Sequence, residues 1–526
     1  MSFQSRLSSS RFSNSRFSRP AVLLLVSLLM IAVQGYHFGV DDAAIYLPAV
    51  ERIVTPGLFP YGADFFLSHS RVSFFSNAVG GMVRWLHVPL PWAVVIFHVL
   101  GIYLLLLAGD WLARLCFTRP RAQWSAILTL ASVLTIPVAG TALPIMDPYL
   151  TARSLSTPLT LLALTAILAS RPVPAAVLLG ITALLHPQMA IYGVALVVLL
   201  SLPHLAARQL RTEEALASSV GLLQRLPDGF HLGAAQEPYR ETLYSRTFFF
   251  AWAWTWYEWL GVLLPLVILF AISRIRFAAL TPVAARLCRA LLVLGAVSIA
   301  AFLLFSSSPY FDDFVRLQPM RSFQLIYIVM FVLLGGLVGE YLLQDKTWRW
   351  LALFVPICVA MYAVDRSLYP TSQHLELPGR AVTNPWLQAF EWARDNTPQD
   401  AVFALPPRYL QIPGEDLHGF RAVAERSMIA DWVKDSGVAS IFPQMAPEWK
   451  REQELTRGWN HYSAADFLAL STRSPVSWVM VEPRQSNGLE CPFQNAAVSV
   501  CKLEPQSNAH SDIQTDAQSD IKTSIW

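Results

Sequence analysis

The chain has 526 residues, of which 54% are hydrophobic and 14% charged, and its net charge is +3. Soluble domains carry about 25% charged residues, so this composition excludes an ordinary soluble protein. The net charge is too small to suggest nucleic acid as a partner. Long apolar runs fill the first two thirds, and charge gathers between them and in the last third.

The opening segment MSFQSRLSSSRFSNSRFSRP holds Arg6, Arg11, Arg16 and Arg19 and no acid. A transit peptide, the n-region of a signal peptide and a cytoplasmic anchor all share that composition. The following apolar run is long enough to span, and no small-residue cleavage site ends it. This favours the anchor, with residues 1–20 in the cytoplasm.

A spanning helix needs roughly 20 apolar residues at 1.5 Å each. Runs at 21–38, 92–112, 124–143, 155–170, 172–185, 187–202, 254–272, 287–305, 324–343 and 351–364 meet or approach this. They predict a mainly α, polytopic bundle of about 10 or 11 spans over residues 21–364. Arg114, Arg119 and Arg121 mark one cytoplasmic connection. Arg171 marks another, Arg274, Arg276, Arg286 and Arg289 a third, and Lys346 with Arg349 a fourth. The external segments are then 39–91, the loop around Asp147, the turn at His186-Pro187, 306–320, and everything after about 365. Counting from His186 runs 254–272 outward, whereas the arginines after it say inward. Either 213–226, which is amphipathic, hides a crossing, or 172–202 is not a simple hairpin. Residues 72–86 read as an interfacial helix with Phe74, Phe75, Val79, Met82 and Leu86 on one face.

After residue 364 the composition changes. Pro370, Pro378 and Pro385 mark a linker. Helices at 386–394, 445–455 and 464–470 and strands at 401–405, 421–430, 476–481 and 497–503 predict a small external α/β domain over 365–505. The polar tail 506–526 has a disordered composition. Cys116, Cys288 and Cys358 sit in or beside apolar runs and are inert. Cys491 and Cys501 lie close together, and an oxidising compartment would join them.

Asp41-Asp42, directly after the first span, is the sharpest chemical feature. A polar stop at the water boundary is the plain reading. The functional one is a general base, or a pair of ligands for Mg or Mn, at the height of a lipid headgroup. Asp147 opens an Asp-Pro turn, and Arg153 sits at the mouth of an apolar helix, where a phosphate or Asp147 would have to pair with it. His186-Pro187 is a kink with an incidental His, or a phosphate contact. The loop SSSPYFDDFVRLQPMRSF supplies Asp312, Asp313, Arg316 and Arg321. These are solvated ion pairs, or arginines that neutralise a departing phosphate. Trp252, Trp254, Trp256, Tyr257 and Trp259 fit an interfacial aromatic belt, which leaves Glu258 among them unexplained. Asp395, Arg421, Arg426 and Asp431 read as surface or strand-edge charges. No P-loop, nucleophile elbow or zinc motif occurs in the chain.

The segments VDDAAIYLPAVERI, MDPYLTARSLSTPL, LLHPQMA, WAWTWYEWLG, RLQPMRSFQLIY and NTPQDAVFALPP span residues 40–407. Together with the order of loops they resemble the GT-C class of membrane glycosyltransferases, in particular a bacterial group within that class. The resemblance implies inverting transfer of a sugar from a polyprenyl-phosphate carrier at the external face of a bacterial inner membrane. It implies that Asp41 or Asp42 deprotonates the acceptor or holds a metal, with Asp147 in support. Arg153, His186, Arg316 and Arg321 would hold the carrier phosphate. Relatives often have Lys where this chain has His186-Pro187, and the Trp-Trp-Asp motif of oligosaccharyltransferases is absent. A secondary transporter and a non-catalytic scaffold in envelope polysaccharide assembly are the alternatives. The sequence leaves the oligomeric state open.

Overall fold

The computed structural model describes residues 18–206, 230–275 and 277–503. Arg6, Arg11, Arg16, Arg276, the 213–226 stretch and the 506–526 tail lie outside them.

The apolar runs fold as helices because this lets each one satisfy its own backbone hydrogen bonds without water. Helix α1 (Ser18–Gln34) enters the bundle, and Gly35 ends it with φ +83°, so the expected continuation to 38 does not form. Three short helices follow, α2 (Ala43–Val54), α3 (Asp64–Val72) and α4 (Phe75–Leu86). The expected single helix over 72–86 is therefore broken at Ser73. Only Phe75 and Val79 of its predicted face are buried, while Phe74 and Leu86 are exposed. The bundle continues with α5 (Leu90–Cys116), α6 (Pro120–Ser132), α7 (Ala152–Leu168), α8 (Pro172–Leu185) and α9 (Pro187–Ala206). The run at 124–143 is a helix only as far as Ser132. Beyond it Pro137, Gly140 and Pro144 break the helix, and β1 (Pro137–Val138) pairs with β2 (Leu143–Pro144) in an antiparallel hairpin.

Helix α10 (Tyr239–Tyr244) precedes α11 (Trp256–Arg274), α12 (Pro282–Ser306), the one-turn α13 (Asp312–Val315), α14 (Phe323–Val338) and α15 (Thr347–Leu368). Glu258 is explained by a helix cap: its carboxylate accepts from the Thr255 N–H at 2.8 Å at the start of α11. Five of the described helical segments are long and apolar enough to cross a membrane, with α1, α7, α8 and α9 as shorter apolar companions. The chain is a multi-pass membrane protein. Gly336 and Gly339 let α14 press against its neighbours, since a Cβ at either would overlap Phe117 or Ser125. At the α1 start, Asp110 pairs with Arg19 at 2.5 Å and Arg114 at 2.8 Å, and Glu340 pairs with Arg119 at 2.5 Å and Arg121 at 2.7 Å. These clusters mark the end of the bundle opposite the acid pair.

The C-terminal domain is a five-stranded sheet in the order β4-β3-β5-β7-β6, with helices packed on it. Its strands are β3 (Val402–Ala404), β4 (Ser427–Met428), β5 (Trp478–Val481), β6 (Glu490–Gln494) and β7 (Ser499–Lys502). Its longer helices are α16 (Pro385–Asn396), α18 (Lys434–Ile441), α19 (Ala446–Leu455) and α20 (Ala464–Arg473). The expected strand at 421–430 is mostly the short helix α17 (Phe420–Ala424), and only residues 427–428 join the sheet. Strand β6 and helix α18 had no signal that was read. Cys491 and Cys501 are joined at 2.02 Å between neighbouring strands.

A buried ladder of imidazoles and carboxylates locks this domain to the bundle. His37, just past α1, meets Asp365 of α15 at 3.0 Å and Glu376 of the linker at 3.1 Å. His374 meets Asp365 at 2.6 Å, and His418 of the C-terminal domain meets Glu376 at 3.0 Å. Burial pushes His418 down, but Glu376 beside it prevails and lifts it to about 9. Burial pushes Glu376 up, yet His418 and His37 bring it down to about 2. The stabilisation from His418 is thus full below the free imidazole value of about 6.5 and is lost as pH rises through 9. That from Glu376 is full above the free carboxyl value of about 4.3 and is lost as pH falls towards 2. Thermal unfolding in detergent is therefore expected to shift to lower temperature between about pH 6.5 and 9.5, with faster proteolysis of the linker. His418→Gln should be less stable at neutral pH and should flatten this alkaline slope. An unchanged slope in that variant would remove His418 from the lock.

Candidate functional site

Asp41 and Asp42 lie on a strip of chain, residues 36–42, that is clamped on both sides. Tyr36 exchanges main-chain hydrogen bonds with His374 and Glu376 at 3.0 and 2.9 Å, and His37 N–H donates to the Pro148 carbonyl at 3.0 Å. Gly419 N–H donates to the Gly39 carbonyl and Asp41 N–H to the Leu417 carbonyl, each at 2.9 Å. The strip turns at Asp41, whose φ of +52° is a left-handed value that Asp tolerates better than most residues. Helix α2 then begins, which points both carboxylates into the seam between bundle and domain.

Each carboxylate meets cations there. Lys434, the first residue of α18, donates to Asp41 Oδ1 and, at 2.9 Å, to Asp42 Oδ1. Arg153 Nη1 contacts Asp42 Oδ2 at 2.9 Å, and its Nη2 contacts Asp147 at 3.0 Å. The Arg153 and Asp147 side chains are 4% and 3% exposed, whereas Asp41 and Asp42 keep 35% and 26%. Burial alone would raise Asp42, but Arg153 and Arg321 outweigh it and hold its carboxyl below the usual range. Asp147 is raised by burial, which Arg153 only partly offsets. Burial pushes Lys434 down to about 7.

Lys434 is aimed by its own domain. Asp431 accepts from the Val433 and Lys434 N–H groups, each at 2.6 Å, and fixes the start of α18. Asp435 accepts from the Asp431 N–H at 2.9 Å and from both terminal nitrogens of Arg421 at 2.9 and 3.0 Å. Arg421, Arg426 and Asp431, expected at the surface or a strand edge, are buried, with Arg426 next to the edge strand β4, while Asp395 is exposed. The reason is that Arg421 and Asp431 organise the loop that carries Lys434. Arg426 binds the main chain at the end of α16, including the Thr397 carbonyl at 2.7 Å.

The acid pair opens on a cavity of about 1410 Å³. Of the residues singled out in the sequence, Asp41, Asp42, Arg153, His186, Arg316 and Arg321 all line it. Asp147 stands behind Arg153 rather than on the wall. Cys491 and Cys501 are elsewhere, in the sheet. Arg321 Nη1 donates to Gln188 Oε1 at 2.9 Å, and Arg316 lies 4.1 Å from the centroid of the Phe230 ring. Among the described residues, the buried Nε atoms of Arg153, Arg246 and Arg321 have no hydrogen-bond partner. The guanidinium groups of Arg153, Arg246 and Arg321 line the cavity, where their charge suits an anion.

Sequence reasoning missed Lys434, His69, Tyr46, Gln188 and Arg246, which line the same cavity. His69 is pushed down to about 4 by burial, so its ring is neutral beside Asp42. No local signal distinguishes these residues, because a lysine in a soluble domain or a histidine in a loop helix is ordinary. The residues fit a divalent ion poorly. Among the described residues no group of three or more His, Cys, Asp or Glu side chains converges as metal ligands. The inward carboxylate oxygens already face Lys434 and Arg153.

Residues 384–451 match the model of a domain of unknown function, DUF6798, a stretch that contains Lys434. No curated protein matches the chain in sequence. Among solved structures, the chain is similar to ArnT from Cupriavidus metallidurans in the apo state. The identity is 12%, the match covers 92% of this chain and 97% of that one, and the TM-score is 0.38.

Removing Arg153 would leave Asp42 and the buried Asp147 without their shared cation. Arg153→Leu is expected to cost about 3–5 kcal/mol, the range for breaking a buried ion pair. Adding Asp147→Asn should recover part of that loss. Thermal or denaturant unfolding of purified protein measures both, and equal stability of the single variant and wild type would contradict this account of the pair.

Proposed function

We propose that the chain is a GT-C-type transferase that moves a sugar, or a related group, from a lipid-phosphate donor to an acceptor hydroxyl. The observation that carries this reading is the meeting of Asp41-Asp42 with Arg153, Arg316, Arg321 and His186 around one cavity. Such a site offers a base on one side of a reacting carbon and cations for a leaving phosphate on the other. Ile191, Leu232 and Phe305 give the cavity an apolar side suited to a lipid tail. The convergence favours an enzyme over a scaffold, for which these charges would have no reason to gather. In this reading the acid pair and the C-terminal domain face outside a bacterial inner membrane, with the N-terminus in the cytoplasm.

The two acids divide the work. Both Asp42 oxygens are engaged, one by Lys434 and one by Arg153. Asp41 is the more exposed, and among the described residues only its Oδ1 has a partner. Asp41 Oδ2 therefore takes the acceptor proton, while Asp42 holds the cations in place. The acceptor oxygen forms a bond to the anomeric carbon as the bond from that carbon to the phosphate oxygen breaks, with inversion. The electron pair leaves with the phosphate, whose charge Arg321, Arg316 and His186 receive. Arg153 keeps the base and the phosphate site in register, and Asp147 supports Arg153. None of these steps needs a metal.

Transfer from a panel of radiolabelled polyprenyl-phosphate sugars in matched liposomes tests the reading. General-base removal typically costs about 10²–10⁴-fold, so Asp41→Asn should lose that much with folded protein retained. Arg321→Gln should fall comparably. Asp42→Asn should lose activity through disordered cations. No turnover with any donor, or full turnover in Asp41→Asn, would overturn the proposal.

A further inference from the structure

The acid pair poses a problem that a divalent cation would ordinarily solve. Two adjacent carboxylates at the edge of a membrane domain repel each other and resist ionising together. In this chain the repulsion is relieved by side chains. Lys434 Nζ lies between the two Oδ1 atoms, touching both, in the position where a bridging ion would sit. Arg153 takes the outer Asp42 oxygen at 2.9 Å. Lys434 faces both acids, and Arg153, which also holds Asp147 at 3.0 Å, supplies the second positive group at Asp42.

The arrangement is built rather than incidental. The Lys434 side chain is only 13% exposed. Its backbone is fixed by Asp431, which is held through Asp435 and Arg421, so a buried chain of four residues delivers one ammonium group. A surface lysine that met the pair by chance would need no such support. A hard cation such as Mg or Mn needs about six oxygen ligands at about 2.1 Å in near-octahedral order. Nζ occupies the space such a shell requires between the two carboxylates, and Arg153, Arg246, His69 and Phe442 line the same cavity.

We infer that Lys434, with Arg153, stands in place of a divalent cation at Asp41-Asp42, and that this site is built to work without one. Lys434 is thus a positioning residue supplied by the C-terminal domain, and without that domain the site is incomplete. The inference concerns the same site as the proposed transfer and rests on that reading for its catalytic meaning. Its test uses neither donor nor acceptor, so the two can fail separately.

The experiment is a titration of the full chain in detergent with Mn(II), read by the loss of the free-ion electron paramagnetic resonance signal. Wild type and Lys434→Arg should take up no ion that Asp41→Asn abolishes. Lys434→Ser vacates the central position and should gain one site, with affinity at least ~10-fold tighter than wild type and lost again when Asp41→Asn is added. A wild-type site that disappears in Asp41→Asn would overturn the inference, as would a folded Lys434→Ser protein with no gained site. Size-exclusion and thermal melting report folding. Should Lys434→Ser fail to fold, the wild-type and Lys434→Arg titrations decide, since an ion held at the pair by either one refutes it and exclusion by both supports it.

Discussion

Two carboxylates side by side at the mouth of a membrane bundle must be neutralised, and the architecture follows from how this is done. A charge pair at about 4 Å is worth about 1 kcal/mol in water and several-fold more where water is scarce. The cations here come from places remote in the chain. Arg153 is delivered by α7, and Lys434 by a domain 392 positions beyond Asp42. Neither can reach unless the bundle, the strip at residues 36–42 and the C-terminal domain are all in their final places. The charge cluster is consequently a readout of the whole fold, and it forms only at the seam between the two domains.

That dependence explains why the seam is held so firmly elsewhere. The main-chain pairing of residues 36–41 with the linker and with residues 417–419 fixes the height of the strip. The His37, Asp365, Glu376 and His418 ladder fixes its tilt from behind. Each of these groups is buried, and each would be costly alone. Alternating imidazole and carboxylate lets every charge face an opposite one. A hydrophobic seam could bind the domains equally well, but it would place less demand on register. A one-residue slip in this strip would separate Lys434 from the acids.

The helical bundle was legible in the sequence because length and hydropathy alone identify a span. Where Pro and Gly interrupt a run, as at residues 137–144, composition still looked like a helix, but the backbone could not continue. The Asp41-Asp42 motif, Arg153 and Arg321 were legible because charges beside apolar helices are expensive and demand a partner. Lys434 and His69 were not legible. Their role arises from long-range packing of ordinary residue types, and no local pattern encodes a partner 392 positions away. The α/β domain fell between these cases. Its strongly apolar strands were recognised, whereas residues 420–424 satisfied a strand pattern yet coil into a helix that packs on α2. The exposed strand β6 alternates between intermediate and exposed residues, too little contrast to be read as a half-buried strand.

In the proposed transfer, the paired acids acquire two roles from geometry alone. The positive φ at Asp41 turns its side chain along the cavity, and the start of α2 turns Asp42 back towards Arg153. Asp42 is saturated with cations and kept below the usual carboxyl range, so it is a poor proton acceptor and a good anchor. Among the described residues Asp41 keeps one oxygen without a partner, which is what the proposed base requires. Environment rather than residue type separates the two, as it does wherever adjacent carboxyls serve different ends. The helix start that separates them depends in turn on the clamped strip, so the division of labour at the site and the docking of the domain rest on the same few hydrogen bonds.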